Sequence, residues 1–180
     1  MPEQVWAPHP ARVWVPAEVT TRDSAKCAFK AEEEEWESEV DGASLEPVTE
    51  DQLKGVDNIC TLERVNAGAL LHSVRLRFAD SSIYTNVARI LIAVNPFCAV
   101  DIYGKALVAK YAAAKDPSTL PPHVYGIGAD AFQCLADYNT NQAVLISGES
   151  GAGKTESTKL VLSYIADVAG TSGGDETPIQ

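Results

Sequence analysis

Apolar positions along this chain follow two different rhythms. In the first fifty residues they come in brief, β-leaning runs. Arg12-Val13-Trp14-Val15-Pro16-Ala17-Glu18-Val19-Thr20 and Ala25-Lys26-Cys27-Ala28-Phe29-Lys30 are separated by the polar turn Thr21-Arg22-Asp23-Ser24. Val13 and Val15 alternate with Trp14, which predicts opposite faces of a small twisted β-unit. Trp6, Trp14 and Trp36 are expected to supply its core. Leu45 to Lys54 reads as a linker. Beyond it, Leu62, Val65, Ala69, Leu70, Leu71 and Val74 recur at helical spacing, with an interruption expected near Gly68. Gly104–Lys115, rich in Ala, Leu and Lys, and His123–Tyr138 are expected to be helical. Asp116–Pro122 is expected to be a loop.

Two uncharged apolar runs stand apart. Ile90-Leu91-Ile92-Ala93-Val94, preceded by Arg89, ends at Asn95-Pro96; Ala143-Val144-Leu145-Ile146 precedes a glycine-rich stretch. Both read as strands of a parallel sheet buried on both faces. After the glycines, Leu160, Val161, Tyr164, Ile165 and Val168 form one helical stripe. The expected class is α/β. The composition divides the chain into residues 1–50, a β-unit, and residues 51–180, with a polar, flexible tail from Gly170 to Gln180.

The glycine-rich stretch carries chemistry. Gly148-Glu149-Ser150-Gly151-Ala152-Gly153-Lys154-Thr155 fits G-x-x-x-x-G-K-[ST] between an apolar run and an amphipathic helix. Gly148, Gly151 and Gly153 permit a tight turn whose N–H groups face an anion, Glu149 and Ser150 present further backbone donors, and Ala152 is counted with them among the nucleotide-binding positions. Lys154 is expected to reach the β- and γ-phosphates, and the Thr155 hydroxyl to ligate Mg²⁺. The helix dipole adds to the cradle from below. The expected ligand is therefore ATP with Mg²⁺.

Charge and cysteine content narrow the alternatives. The formal net charge is −11, and residues 32–51 hold ten acids with no Lys or Arg. The remaining fifteen acids nearly balance 14 bases, which argues against a basic nucleic-acid face. The acidic stretch reads as a solvated loop or strand edge rather than a docking tail. Cys27, Cys60, Cys98 and Cys134 form no C-x-x-C pair, and His9, His72 and His123 show no ligand-like spacing. Packing roles are expected for all seven, in a reducing, cytoplasmic setting. No apolar run is long enough to span a membrane, and the N-terminus lacks the form of a secretory signal.

From about Gly55 to Gly170 the residues resemble the opening of the myosin motor. The resemblance rests on Leu71-His72-Ser73-Val74-Arg75-Leu76-Arg77-Phe78, Ile83-Tyr84-Thr85, Ile92-Ala93-Val94-Asn95-Pro96-Phe97, Pro122-His123-Val124-Tyr125, and the segment from Asn141 through the glycine loop to Glu156. Val13-Trp14-Val15-Pro16 more loosely resembles the small N-terminal β-barrel of many myosins. The resemblance implies a P-loop ATPase motor core preceded by a barrel-like unit, with actin filaments as partner of the complete protein and a place in the cytoplasmic cytoskeleton. It also implies that Asn95, Pro96 and Tyr103 line an adenine pocket. Cys98 and Ala99 depart from the family, which often has basic residues there. The two switch segments that complete catalysis in myosins are not found among the 25 residues after Thr155, so no catalytic residue is assigned and the 180-residue chain is expected not to turn over ATP alone. A kinesin-like motor or nucleotide kinase, and a non-enzymatic fragment with a vestigial nucleotide site, are the alternative readings.

Overall fold

The computed structural model describes residues 4–172. Two compact units divide the chain between Ser82 and Ile83. The first contains a four-stranded antiparallel sheet, β1 (Gln4–His9), β2 (Val13–Arg22), β3 (Cys27–Ala31) and β4 (Glu34–Ser38), in sequential order. Val5, Ala7, Ala17, Cys27 and Phe29 form its core, with Trp36 packed beside them. Val15 is buried and Val13 exposed. Trp6 is buried, whereas Trp14 and Trp36 are half-buried. The acidic stretch opens on β4, an edge strand whose glutamates face solvent. Glu35 pairs with Lys30 of β3 (3.1 Å), and Glu37 with Lys26 just before that strand. Charges of this kind protect an edge from further pairing.

Residues 45–54 are not the linker expected from their composition. Trp6 N donates to Glu46 O (2.9 Å), Val48 N donates to Gln4 O (2.9 Å), and Val5 bridges Pro47. The segment therefore lies along the free edge of β1. Gln52 fixes it from within. Fully buried, it accepts from Trp6 Nε1 (2.9 Å) and from Thr49 N (3.0 Å), and its Nε2 donates to Arg64 O (2.8 Å). All three bonds are made inside the fold, so the cost of burying the amide is offset.

Helix α1 (Ala67–Ala79) belongs to this first unit, which consequently runs well past residue 50. Asn66 caps it, its Oδ1 accepting from Ala69 N at 2.8 Å. Gly68 does not interrupt the helix; it lies within its first turn. A Cβ at that position would come within 2.6 Å of the Trp6 ring, so the glycine lets the helix approach the indole. Arg75 donates to the carbonyls of Trp14 (2.8 Å) and Arg12, holding the helix to β2.

The second unit is built from the hairpin β5 (Tyr84–Val87) and β6 (Ile90–Ala93), and helices α2 (Lys105–Ala112), α3 (Val124–Tyr138) and α4 (Lys154–Ser172). Its core comprises Ile83, Tyr84, Tyr111, Val124, Tyr125, Ala129, Val161 and Tyr164. The expected stripe on α4 is present, with Val161 and Tyr164 buried and Leu160, Ile165 and Val168 packed against the core. The helix begins at Lys154, directly after the last glycine of the loop. Of the expected flexible tail, Gly170 to Ser172 continue α4 and residues 173–180 lie outside the described residues.

The two predicted parallel strands are corrected. Strand β6 forms, but it pairs antiparallel with β5 and leaves Ile90 66% exposed. Ala143–Ile146 forms no strand, and Leu145 is 93% exposed. Extended apolar chain is held as a strand by ladder hydrogen bonds from a neighbour, and none of the described strands lies beside this run. The described architecture is thus mixed helix with antiparallel sheet.

The contact between Gly68 and Trp6 yields a direct test. Gly68→Ala forces its methyl against a buried indole, and overpacking of this kind costs on the order of 2 kcal/mol. Urea unfolding followed by tryptophan fluorescence should show a lower midpoint for the variant than for Gly104→Ala, where a Cβ meets nothing within 4 Å.

Candidate nucleotide-binding site

The loop between Ile146 and α4 makes three turns that side chains resist. Gly148, Gly151 and Gly153 have φ of 150°, 79° and 95°, so all three glycines of the motif occupy backbone conformations that favour glycine. Ala152 N donates to Glu149 O (3.2 Å), which tightens the loop. Ser157 N donates to Gly153 O (2.9 Å), which starts the ladder of α4. The amides of Lys154, Thr155 and Glu156 precede that first rung. They belong to the set that a helix leaves without internal partners, at the positive end of its dipole.

Lys154, the first residue of α4, folds back over the loop. Its Nζ donates to Gly148 O and Glu149 O, each at 2.8 Å. The ammonium thus lies on the carbonyls of the loop itself. Thr155 is exposed on the first helical turn. Thr158 Oγ1 donates to Lys154 O (2.9 Å), and Lys159 pairs with Glu156 (2.7 Å). Chemically, this end of α4 combines one mobile cation, a hydroxyl and unpaired amides, a set suited to a phosphate chain and its metal.

The three residues assigned to an adenine pocket separate into two groups. Asn95, just after β6, reaches the loop: its Nδ2 donates to Gly151 O at 2.7 Å. Its Oδ1 accepts from Phe97 N (3.0 Å), which shapes the Asn-Pro-Phe corner. Pro96 is half-buried, and Phe97 projects with 85% exposure. Tyr103 is engaged elsewhere. Its hydroxyl bonds the Tyr84 hydroxyl (2.9 Å), and its carbonyl accepts from the Tyr125 hydroxyl (3.1 Å). The bond from Asn95 to the loop spans 56 positions of sequence, and no spacing rule announces it.

His123 has the packing role expected of it and a second one that its spacing did not announce. It is the cap of α3, its Nδ1 accepting from Tyr125 N at 3.1 Å. That bond places the proton on Nε2, which faces Ile102 O at 3.0 Å. Tyr84, Tyr103, Tyr111 and Tyr125 surround the ring at centroid distances of 4.6–5.6 Å. Burial pushes its pKa down to about 4, against a partial opposing effect of the Ile102 carbonyl. Burial also raises the pKa of Tyr84, which the Tyr103 hydroxyl reinforces.

A family model described as the myosin head, or motor domain, matches residues 56–178. The chain belongs to the myosin motor-domain family. It is 38% identical to the high molecular weight form of myosin-1 of Acanthamoeba castellanii, over 98% of this chain and 11% of that protein. It is 37% identical to the myosin-J heavy chain of Dictyostelium discoideum, over 90% of this chain and 7% of that protein. With unconventional myosin-VI of Mus musculus it shares 44% identity over 69% of this chain and 10% of that protein. The chain therefore spans about a tenth of the length of these relatives. The kinesin-like reading is not favoured. No helix of the described residues of this myosin chain is long and apolar enough to cross a membrane.

The buried histidine makes the second unit of this myosin chain sensitive to acid. The unfolded chain takes up a proton on His123 near the ordinary value of 6.5, whereas the folded chain resists until about 4. Between those values the unfolded state binds more protons, so folding stability falls as pH drops from 6.5 towards 4. In the first unit the His72 pKa is also lowered, mainly by burial, and acts in the same direction there. A nuclear magnetic resonance titration should find the His123 ring neutral at pH 5. Protonation near 6.5 would contradict the buried, singly protonated imidazole.

Proposed function

We propose that this chain is the ATP-binding part of an actin-based motor, and that MgATP binds at Gly148–Thr155. The observation that carries this reading is the loop itself: three glycines in left-handed conformations, followed by a helix whose first residue is the folded-back Lys154. Gly148, Gly151 and Gly153 give the backbone its concavity. Glu149 and Ser150 contribute main-chain donors, and Ala152 tightens the loop through its own bond to Glu149 O. Lys154 exchanges the carbonyls of Gly148 and Glu149 for phosphate oxygens, and the stronger charge-assisted bonds favour that exchange. Thr155 presents a hydroxyl fit for Mg²⁺. The metal supplies charge neutralisation between the phosphates. Asn95, Pro96 and Tyr103 would lie on the base side of this site.

The wider reading follows from the family. The complete protein hydrolyses ATP and works on actin filaments in the cytoplasmic cytoskeleton. Its core is a P-loop NTPase sheet, in which Ala143–Ile146 forms a strand when partner strands are present, and the four-stranded sheet of the first unit forms the barrel-like part that precedes it in the chain. The 180-residue chain by itself binds nucleotide without turning it over. Catalysis needs contacts that strengthen in the transition state, including an orienting group for water. Among the described acids after Thr155, Glu156 is paired with Lys159. Asp167 lies more than three turns along the helix, roughly 18 Å by helical rise.

Calorimetry on the purified 180-residue chain tests this. Lys154→Ala should weaken MgATP binding at least tenfold, since it removes the ammonium. Phosphate release should be no faster for the unsubstituted chain than for the variant. Equal affinities would overturn the phosphate assignment, and lysine-dependent turnover would overturn the claim that the chain binds without hydrolysing.

A further inference from the structure

We infer that Asn95 is a positioning residue for the phosphate loop, acting through Gly151 rather than by reading the base; the inference rests on the MgATP assignment above. Both ends of its amide are already engaged. Oδ1 accepts from Phe97 N at 3.0 Å, two residues along the same chain, and so fixes which way the amide faces. With that orientation set, Nδ2 points at Gly151 O and donates at 2.7 Å. The alternative orientation would place an NH₂ against the Phe97 N–H, donor against donor.

The position of this bond gives it leverage. Gly151 is the exposed crown of the loop and has φ of 79°; a Cβ there would meet nothing within 4 Å. Side-chain packing therefore does not hold the crown in place. The bonds holding the loop are Ala152 N to Glu149 O, the two from Lys154, and the one from Asn95. The first three come from within the loop and its helix. The bond from Asn95 is the one among them that ties the loop to the corner after β6, outside the loop and its helix. Gly153 sits beneath the same side chain: a Cβ there would lie 4.0 Å from Asn95 Cβ and Cγ, so the asparagine backs the loop at a second residue. Lys154 has the opposite fate. Its ammonium has to leave the loop carbonyls to meet phosphate, and Asn95 then remains to hold the carbonyl of Gly151 turned away from the anion. A carbonyl turned the other way would face phosphate oxygen with like partial charge.

A base contact and a loop brace differ in what they do to a ligand without a base. Inorganic tripolyphosphate with Mg²⁺ is the probe, compared with MgATP by calorimetry. Loss of one hydrogen bond that pre-orders the loop predicts about a fivefold loss of tripolyphosphate affinity in Asn95→Ala, and a similar loss for MgATP. Unchanged tripolyphosphate affinity with weakened MgATP binding would overturn the inference and return Asn95 to the base. A second measurement needs no variant. In the unsubstituted chain the Asn95 side-chain amide protons should exchange more slowly than those of exposed Asn141, and equal rates would also contradict the brace. Lys154→Ala separates the two levels. If it binds tripolyphosphate as well as the unsubstituted chain, the phosphate reading fails, whatever Asn95 does.

Discussion

The close approach of α4 to α3 is the constraint on which the candidate site depends. A Cβ on Gly128 would come within 2.7 Å of Tyr164, so only a glycine on α3 admits that ring at this distance. Tyr164 is buried and stacks on Tyr125, with centroids 5.2 Å apart. Tyr125 in turn donates to Tyr103 O and packs its edge against His123. The start of α4 is fixed by this packing further along the same helix. The loop ahead of it is largely exposed and has little apolar contact of its own. A phosphate site needs ordered amides at a solvent-facing surface, and for the candidate site that order is borrowed from the buried middle of the helix.

The aromatic cluster around His123 explains how a polar centre is kept inside an apolar core. Four tyrosines and one imidazole would be costly to bury without partners. Each of the polar atoms named above has one: His123 bonds at both nitrogens, Tyr84 to Tyr103, Tyr111 to Pro121 O, and Tyr125 to Tyr103 O. Among the described residues no buried side-chain nitrogen or oxygen lacks a partner. Networks of this kind fix a unique arrangement more firmly than an apolar core of the same size.

What could be read from the residues divides along physical lines. The stripe on α4 and the glycine motif were legible because each is set by local periodicity or local backbone need. Among the described glycines, the three with positive φ are the three of the motif for that reason. Features that depend on a distant partner were not legible. Ala143–Ile146 has the composition of a buried strand, but a strand exists only where a neighbour supplies its ladder. Gly68 looked like a break because glycine disfavours helix, yet the Trp6 ring requires it there. Residues 45–54 looked like a linker because Gln52, a polar residue, gave no sign that three hydrogen bonds bury it. The bond from Asn95 to Gly151 belongs with these, since nothing local links the corner after β6 to the loop.

The proposed site requires that the backbone of the glycine loop and the first turn of α4 receive phosphate. Amide-resolved nuclear magnetic resonance of the isotope-labelled chain during MgATP titration tests it most directly. The largest, saturable shifts should fall on the amides of Gly151, Gly153, Lys154 and Thr155, while those of β1–β4 stay in place. Saturable shifts centred elsewhere, or none at the loop at millimolar MgATP, would contradict it.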